Sequence, residues 1–460
     1  MFKFARYSRI GLTGWLLGSV SAAAAVAAGV NLLPAGPFAD PFGIWSNAAT
    51  GAPSTSSPFF SALGSNGRSC GTCHSANDAF SATPAGLANR FNATSGTDPI
   101  FASLDGTNCP TLPQTSVAQR KTASSLLLNK GLIRIPLTPP TNAQFRVAAV
   151  SNPYGCSSTT TLSVYRRIMP TSNLRFLTNV MWDGRETVGA TSVQAGLLHQ
   201  AADAVSGHEA GTSQPSAAIQ SAIVAFETSF FSAQLSDSSA GSLTGAGARG
   251  GVANLAAQGF TPGSNDPFAP TTPSPGVPPT PPFTLFAAWE AGGASLTPAQ
   301  ASIGRGEKIF NTRPIALQIV NGLNDQVDAR GKPRTLVIGT CGTCHNAPNV
   351  GSNTTGRLFD TGVSHGGNGS ADLPLITLVN KSTGATQQST DPGLALTTWL
   401  WSDVGKFKVP GLRNLSARAP YFHNGGPGSL DAVVNFYNTR FALNLSAQEH
   451  ADLVNFLKAL

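Results

Sequence analysis

Cys70-Gly71-Thr72-Cys73-His74 and Cys341-Gly342-Thr343-Cys344-His345 are two copies of one pentapeptide set far apart in a chain of 460 residues. Cys-x-x-Cys-His is the attachment signature of c-type haem: the two thiols add to the vinyl groups and the adjacent His reaches the iron. A four-thiol zinc ribbon would need its two pairs about 15–20 residues apart, and a redox dithiol has no need of the His. Two covalently bound haems are therefore expected, on Cys70, Cys73, Cys341 and Cys344, with His74 and His345 as proximal iron ligands. Cys109 and Cys156 complete the six cysteines. Lying in one half of an exported chain, they are expected to form a disulfide that closes a long loop.

Working outward from the motifs, Lys3, Arg6 and Arg9 precede an apolar, Ala-rich run. That pattern reads as a secretory signal over residues 1–29, with a retained anchor as the alternative, so a periplasmic location is expected. The formal charge is +7, but the basic residues after the signal are scattered without an aromatic-studded stripe, which argues against nucleic acid. Only 11% of residues are charged, against about 25% in an average protein, which excludes charge-driven disorder. The 49 Gly and 33 Pro predict long loops rather than a helical bundle.

Haem-binding domains of the cytochrome c type are small and helical, and helix signals fall where two of them need such segments. Thr297-Pro298-Ala299-Gln300 and Ser446-Ala447-Gln448-Glu449 are capping boxes, the first with proline at N1, and each opens an apolar-periodic run. Ile219, Ile223, Phe226 and Phe230 give a similar stripe in the first half. The fold is expected to be mainly α, with two cytochrome c-like domains at 30–235 and 297–460. Residues 236–296, rich in Gly and Pro, read as an insertion or linker that buries no core.

The sixth iron ligands decide the division of labour, because a five-coordinate iron can take peroxide whereas a sixth protein ligand favours electron transfer. The methionines are Met1, Met169 and Met181, none after the second motif. The second iron is left with His365, Tyr421, His423, Tyr437 and His450 as candidates.

Trp182-Asp183-Gly184-Arg185 after the first motif, with Lys408-Val409-Pro410-Gly411-Leu412-Arg413-Asn414 and Ala419-Pro420-Tyr421-Phe422-His423-Asn424-Gly425 after the second, resemble the bacterial dihaem cytochrome c peroxidase and MauG superfamily. The resemblance implies a peroxidatic N-terminal haem, a six-coordinate C-terminal haem and a Trp between them, here Trp182. Its sixth-ligand position falls on Tyr437, the MauG-like choice, with His423 as the alternative. Asp183 and Arg185 would orient the Trp or bond propionates, and Arg413 suits a propionate as a fixed guanidinium.

The family's distal Pro-x-Glu is absent from this chain. Gln200, His208 and Glu209 stand in that stretch and are the candidates for moving the peroxide proton. The family's calcium-binding Asn is also missing from the aligned Arg166-Arg167-Ile168-Met169-Pro170, which puts calcium in doubt; Lys408 offers an ammonium in the vacated space. The expected function is a periplasmic dihaem oxidoreductase that takes hydrogen peroxide and oxidises a redox partner protein, a protein substrate or a small donor through Trp182. A rubber-oxygenase-like dioxygenase and a non-catalytic electron carrier are the alternatives.

Overall fold

The computed structural model describes residues 35–51, 54–270, 272, 274–292, 295–328, 331–368 and 371–460. The expected signal lies outside the described residues. Among those described, no helix is long and apolar enough to cross a membrane.

Both capping boxes form where the sequence puts them. Thr297 and Gln300 close the N-terminus of the helix Pro298–Thr312, and Ser446 and Glu449 that of Ala447–Lys458. These helices cross at Gly306, where a Cβ would stand 2.1 Å from the Asp452 carbonyl oxygen, so only glycine allows the approach. Asp452 reinforces the crossing by accepting hydrogen bonds from Ser302 and Arg305. Ile303, Phe310, Leu453, Phe456 and Leu457 form the core between them.

In the first half, the helices Val193–His208 and Ala217–Thr228 pack over an aromatic cluster of Phe59, Phe80, Phe226 and Phe230. The apolar stripe of the second helix stops at Phe226, since Phe230 already begins the strand Phe230–Asp237. A disulfide joins Cys109 to Cys156 with their Cα atoms 5.8 Å apart, as expected from the sequence.

The expectation of a mainly α fold is overturned: among the described residues 30% are helical and 17% lie in strands of several sheets. Phe230–Asp237 pairs antiparallel with Gly43–Ala49, and Leu132–Leu137 with Leu162–Arg167. Phe145–Ser151 adds to Leu375–Asn380, which joins the two halves of the chain in one sheet. These strands are short, and their partners are remote in sequence. Local periodicity therefore cannot reveal them, because pairing and burial rather than intrinsic preference set strand formation. The Gly/Pro-rich stretch also differs from expectation. It buries Leu243, Phe283, Phe286 and Trp289 against the helix pair, so it contributes to the core.

Candidate active site

Each Cys-x-x-Cys-His run opens onto its own cavity. The first, about 1140 Å³, is lined by Cys70, Cys73 and His74, with Trp182, Gln200, His208, Glu209 and Glu227 on its walls. The second, about 1460 Å³, is lined by Cys341, Cys344 and His345, and by Trp182, His423 and Tyr437.

The motif histidines are held alike. His74 Nδ1 lies 3.0 Å from the Phe80 carbonyl oxygen, and His345 Nδ1 meets the carbonyl of Gly351. A ring N–H donated to a backbone oxygen leaves Nε2 with a free lone pair, the tautomer a metal requires. Burial pushes both imidazoles down to about 4, which keeps them neutral. Burial likewise pushes Cys73, Cys341 and Cys344 up to about 12 and Cys70 well above its ordinary value. Thiols so disfavoured as thiolates do not fit a reactive redox dithiol.

Trp182 belongs to both cavities. Its Nε1 donates to the Arg167 carbonyl at 2.8 Å, and its own carbonyl accepts from Lys408 N at 2.9 Å. Its ring meets His423 edge-on at 6.2 Å, and His423 stacks on Phe407 at 3.7 Å. Asp183, the next residue, is buried and accepts from Arg166 Nη1 at 2.5 Å, while Arg166 binds Asp391 through Nε and Nη2 at 2.6 and 3.0 Å. The two carboxylates outweigh burial and hold the Arg166 guanidinium above its ordinary value. Arg185 pairs with Asp183 and Glu186 and lines neither cavity, so it supports the Trp182 segment from outside.

On the helix Val193–His208, Gln200 and His208 face the first cavity. His208 Nδ1 lies 2.6 Å from Asp105 Oδ2, and Asp105 Oδ1 accepts from Arg68 Nη1. Burial works to raise the Asp105 carboxyl, but His208 and Arg68 together hold it below the usual range. Glu209 faces a different way: Oε2 accepts from Leu63 N and Oε1 lies 3.8 Å from Cys70 Sγ. Sequence reasoning missed Asp105 and Arg68, which no motif marks. It also missed Glu227, a buried carboxyl on the wall whose Oε2 has no partner and which burial pushes up to about 8. Its signal was an acid four residues after Ile223, on the buried face of an apolar helix.

In the second cavity Tyr437, from the helix Leu430–Arg440, packs against Cys341 and Cys344, and burial raises its phenol. His423 is 3% exposed, its Nε2 has no partner, and burial pushes it down to about 4. Tyr421 donates its hydroxyl to the Leu415 carbonyl, while His365 binds Asp360 away from the cavities and His450 lines neither.

No family model matches the chain. A cytochrome-c peroxidase IdrP1 of Denitromonas iodatirespirans is 31% identical over 140 residues, covering 26% of this chain and 36% of the relative. An IdrP2 of the same organism is 35% identical over 144 residues, covering 26% and 36%. Cytochrome c551 peroxidase of Pseudomonas aeruginosa is 29% identical over 144 residues, covering 31% and 36%. These relatives support the resemblance to the dihaem cytochrome c peroxidase and MauG superfamily. The chain's matches span 36% of their length. A MauG-like protein associated with microbial copper homeostasis aligns at TM-score 0.33 and 17% identity over 68% of this chain and 76% of that one. Hydrazine synthase of Kuenenia stuttgartiensis aligns at 0.32 and 19%, over 65% and 73%.

Peroxidases of this superfamily imply c-type haem, and the residues fit that group. Both imidazoles are held through Nδ1 by a backbone carbonyl, a thiol pair precedes each, and the buried His423 Nε2 and Arg413 Nη2 are polar atoms without a protein partner. Arg413 lines a further space that shares Trp182 and Lys408 with both cavities.

Proposed function

We propose that the chain is an exported, periplasmic dihaem oxidoreductase of the peroxidase type, with one haem attached covalently at each Cys-x-x-Cys-His. The observation that carries this reading is Trp182, a single oxidisable ring shared by two cavities that each hold a complete attachment motif. When bound, haems at these sites would supply iron centres that change valence, and the first cavity would be the one to admit hydrogen peroxide while side chains of the second would close its iron.

The chain's own work at the first cavity is proton handling, since cleaving peroxide needs a proton moved between its oxygens. Asp105 takes the Nδ1 hydrogen of His208 and so leaves Nε2 as the exchanging atom. The His208 side chain is 31% exposed as well as cavity-lining, which lets it reload from solvent. Gln200 orients, and Glu209, tied to Leu63, closes the Cys70 edge. Electrons pass from a partner protein or protein substrate by way of the second cavity and Trp182. Asp183 and Asp391 are both engaged by Arg166, which leaves neither carboxylate free to take a calcium ion at that place.

In the MauG-like reading Tyr437 would be the residue that holds the second iron. A second reading gives that place to His423, and its unpartnered Nε2 favours it.

Peroxide added to the resting ferric protein should remove two electrons, with both haem spectra changing. Trp182→Phe should leave the resting spectra intact and slow the change at the second haem at least tenfold. An unreactive wild type overturns the peroxidase reading, and an unchanged rate in the variant overturns the bridging role.

A further inference from the structure

Between the two cavities lies a third chamber of about 830 Å³ whose walls carry Arg167, Lys408, Arg413 and Arg418 and no Asp or Glu. Arg167 donates to the carbonyls of Lys130 and Arg418, at 2.9 and 3.0 Å. Arg418 donates to those of Asn414, Gly411 and Arg413. Arg413 donates to Leu460 and Asn349 and has Nη2 left over. Among the described residues none of the four cations forms an ion pair with an Asp or Glu side chain. Arg167 and Arg418 bond neutral backbone carbonyls, which hold the side chains in place without cancelling their charge, whereas Arg413 Nε meets an oxygen of Leu460, the last residue of the sequence.

Such a cluster is costly in isolation, because burial disfavours each charge and like charges add to the penalty. Burial pushes Arg167, Arg413 and Arg418 down to about 10 and Lys408 to about 8, and Arg418 adds repulsion at Arg167 and Lys408. The chamber is therefore built for anions the protein does not itself contain. It shares Arg167, Trp182 and Lys408 with the first cavity, and Trp182, Lys408 and Tyr421 with the second. Carboxylates on a group seated in either cavity can enter it. A haem carries two propionates, so two haems bring as many carboxylates as the chamber has cations.

We infer that this chamber is one shared carboxylate site, receiving propionates from both haems, so that the Lys408 ammonium bears on two irons at once. The inference rests on the dihaem reading above. It follows that the two reduction potentials are coupled through a common set of charges, and that a change at Lys408 moves both in the same direction.

Lys408 is the residue to change, because its ammonium makes no hydrogen bond to a described residue and is not part of the backbone-tying arginine set. Holoproteins carrying Lys408→Met and Lys408→Arg would be weighed intact for haem content and titrated spectroelectrochemically. Removing a cation favours the ferric state, so Lys408→Met should lower the reduction equilibrium constant of both haems at least threefold, about 28 mV each. Lys408→Arg should restore both. Where the Met protein does not accumulate, Lys408→Gln gives the same readout. A shift at one haem alone, or at neither, overturns the shared chamber. A wild-type mass with fewer than two haems overturns the dihaem reading instead, and the two failures are thus distinguishable.

Discussion

His208→Gln isolates the proton-handling role proposed for the first cavity. The change keeps a polar side chain of similar reach but removes the imidazole whose Nδ1 sits 2.6 Å from Asp105. A positioned acid–base group is worth about 10²–10⁴ in rate, or roughly 3–5 kcal/mol of barrier. The rate with hydrogen peroxide should fall by that factor. Stability should hardly move, because Asp105 keeps its bond to Arg68, whose side chain is 2% exposed. Asp105→Asn gives the opposite balance. It leaves the buried Arg68 guanidinium uncompensated, at a cost of about 3–5 kcal/mol, and it also frees the His208 ring. The assay is stopped-flow mixing of ferric protein with peroxide, paired with denaturant unfolding of each variant. A His208→Gln protein reacting within threefold of wild type would refute the assignment. So would an Asp105→Asn protein with wild-type stability, since the buried pair would then be doing nothing measurable.

Other outcomes follow from the same geometry. Tyr437→Phe removes a phenol oxygen at little packing cost and should turn the second haem high-spin; a retained low-spin signal there, lost instead in His423→Ala, would assign the ligand to His423. Glu227 is pushed up to about 8 by burial, from an ordinary 4.5 that the unfolded chain keeps. The native state therefore holds a proton that the unfolded state has released. Stability should be greatest below pH 4.5 for this group and should fall by roughly 1.4 kcal/mol per pH unit until about pH 8. Glu227→Gln should flatten that slope and stabilise the holoprotein by roughly 3 kcal/mol at pH 7; parallel pH profiles for the two proteins would contradict this. Replacing Cys109 and Cys156 by Ser opens a crosslink of sequence separation 47 and should cost about 4 kcal/mol of unfolding free energy, with no change in haem content.

What could be read in the sequence was what is written locally. The two pentapeptides fix thiols and imidazole within one turn, and a capping box is complete in four residues, so both helix starts and both cavities' anchors were legible. Trp182 was reached only through family resemblance, and the same resemblance singled out Tyr437 from the five candidates that the absence of a late Met had left. The sheets were not legible, because Phe145–Ser151 finds its partner in Leu375–Asn380 only after the chain has folded back. The same holds for Asp105: it lies in an unremarked loop, and its meaning comes from Arg68 and His208, which the fold brings to it. The Gly/Pro-rich stretch misled for another reason. Its composition suggested a linker, while a few aromatics, Phe283, Phe286 and Trp289, were enough to anchor it in the core.

The central claim is that two haems share one chain with unequal duties, the first open to peroxide and the second closed by a protein ligand. Electron paramagnetic resonance of the resting ferric protein tests it most directly. One high-spin and one low-spin ferric signal of equal weight are expected, the high-spin one disappearing when peroxide is added. Two low-spin signals, unaffected by peroxide, would contradict it and leave an electron-transfer cytochrome in its place.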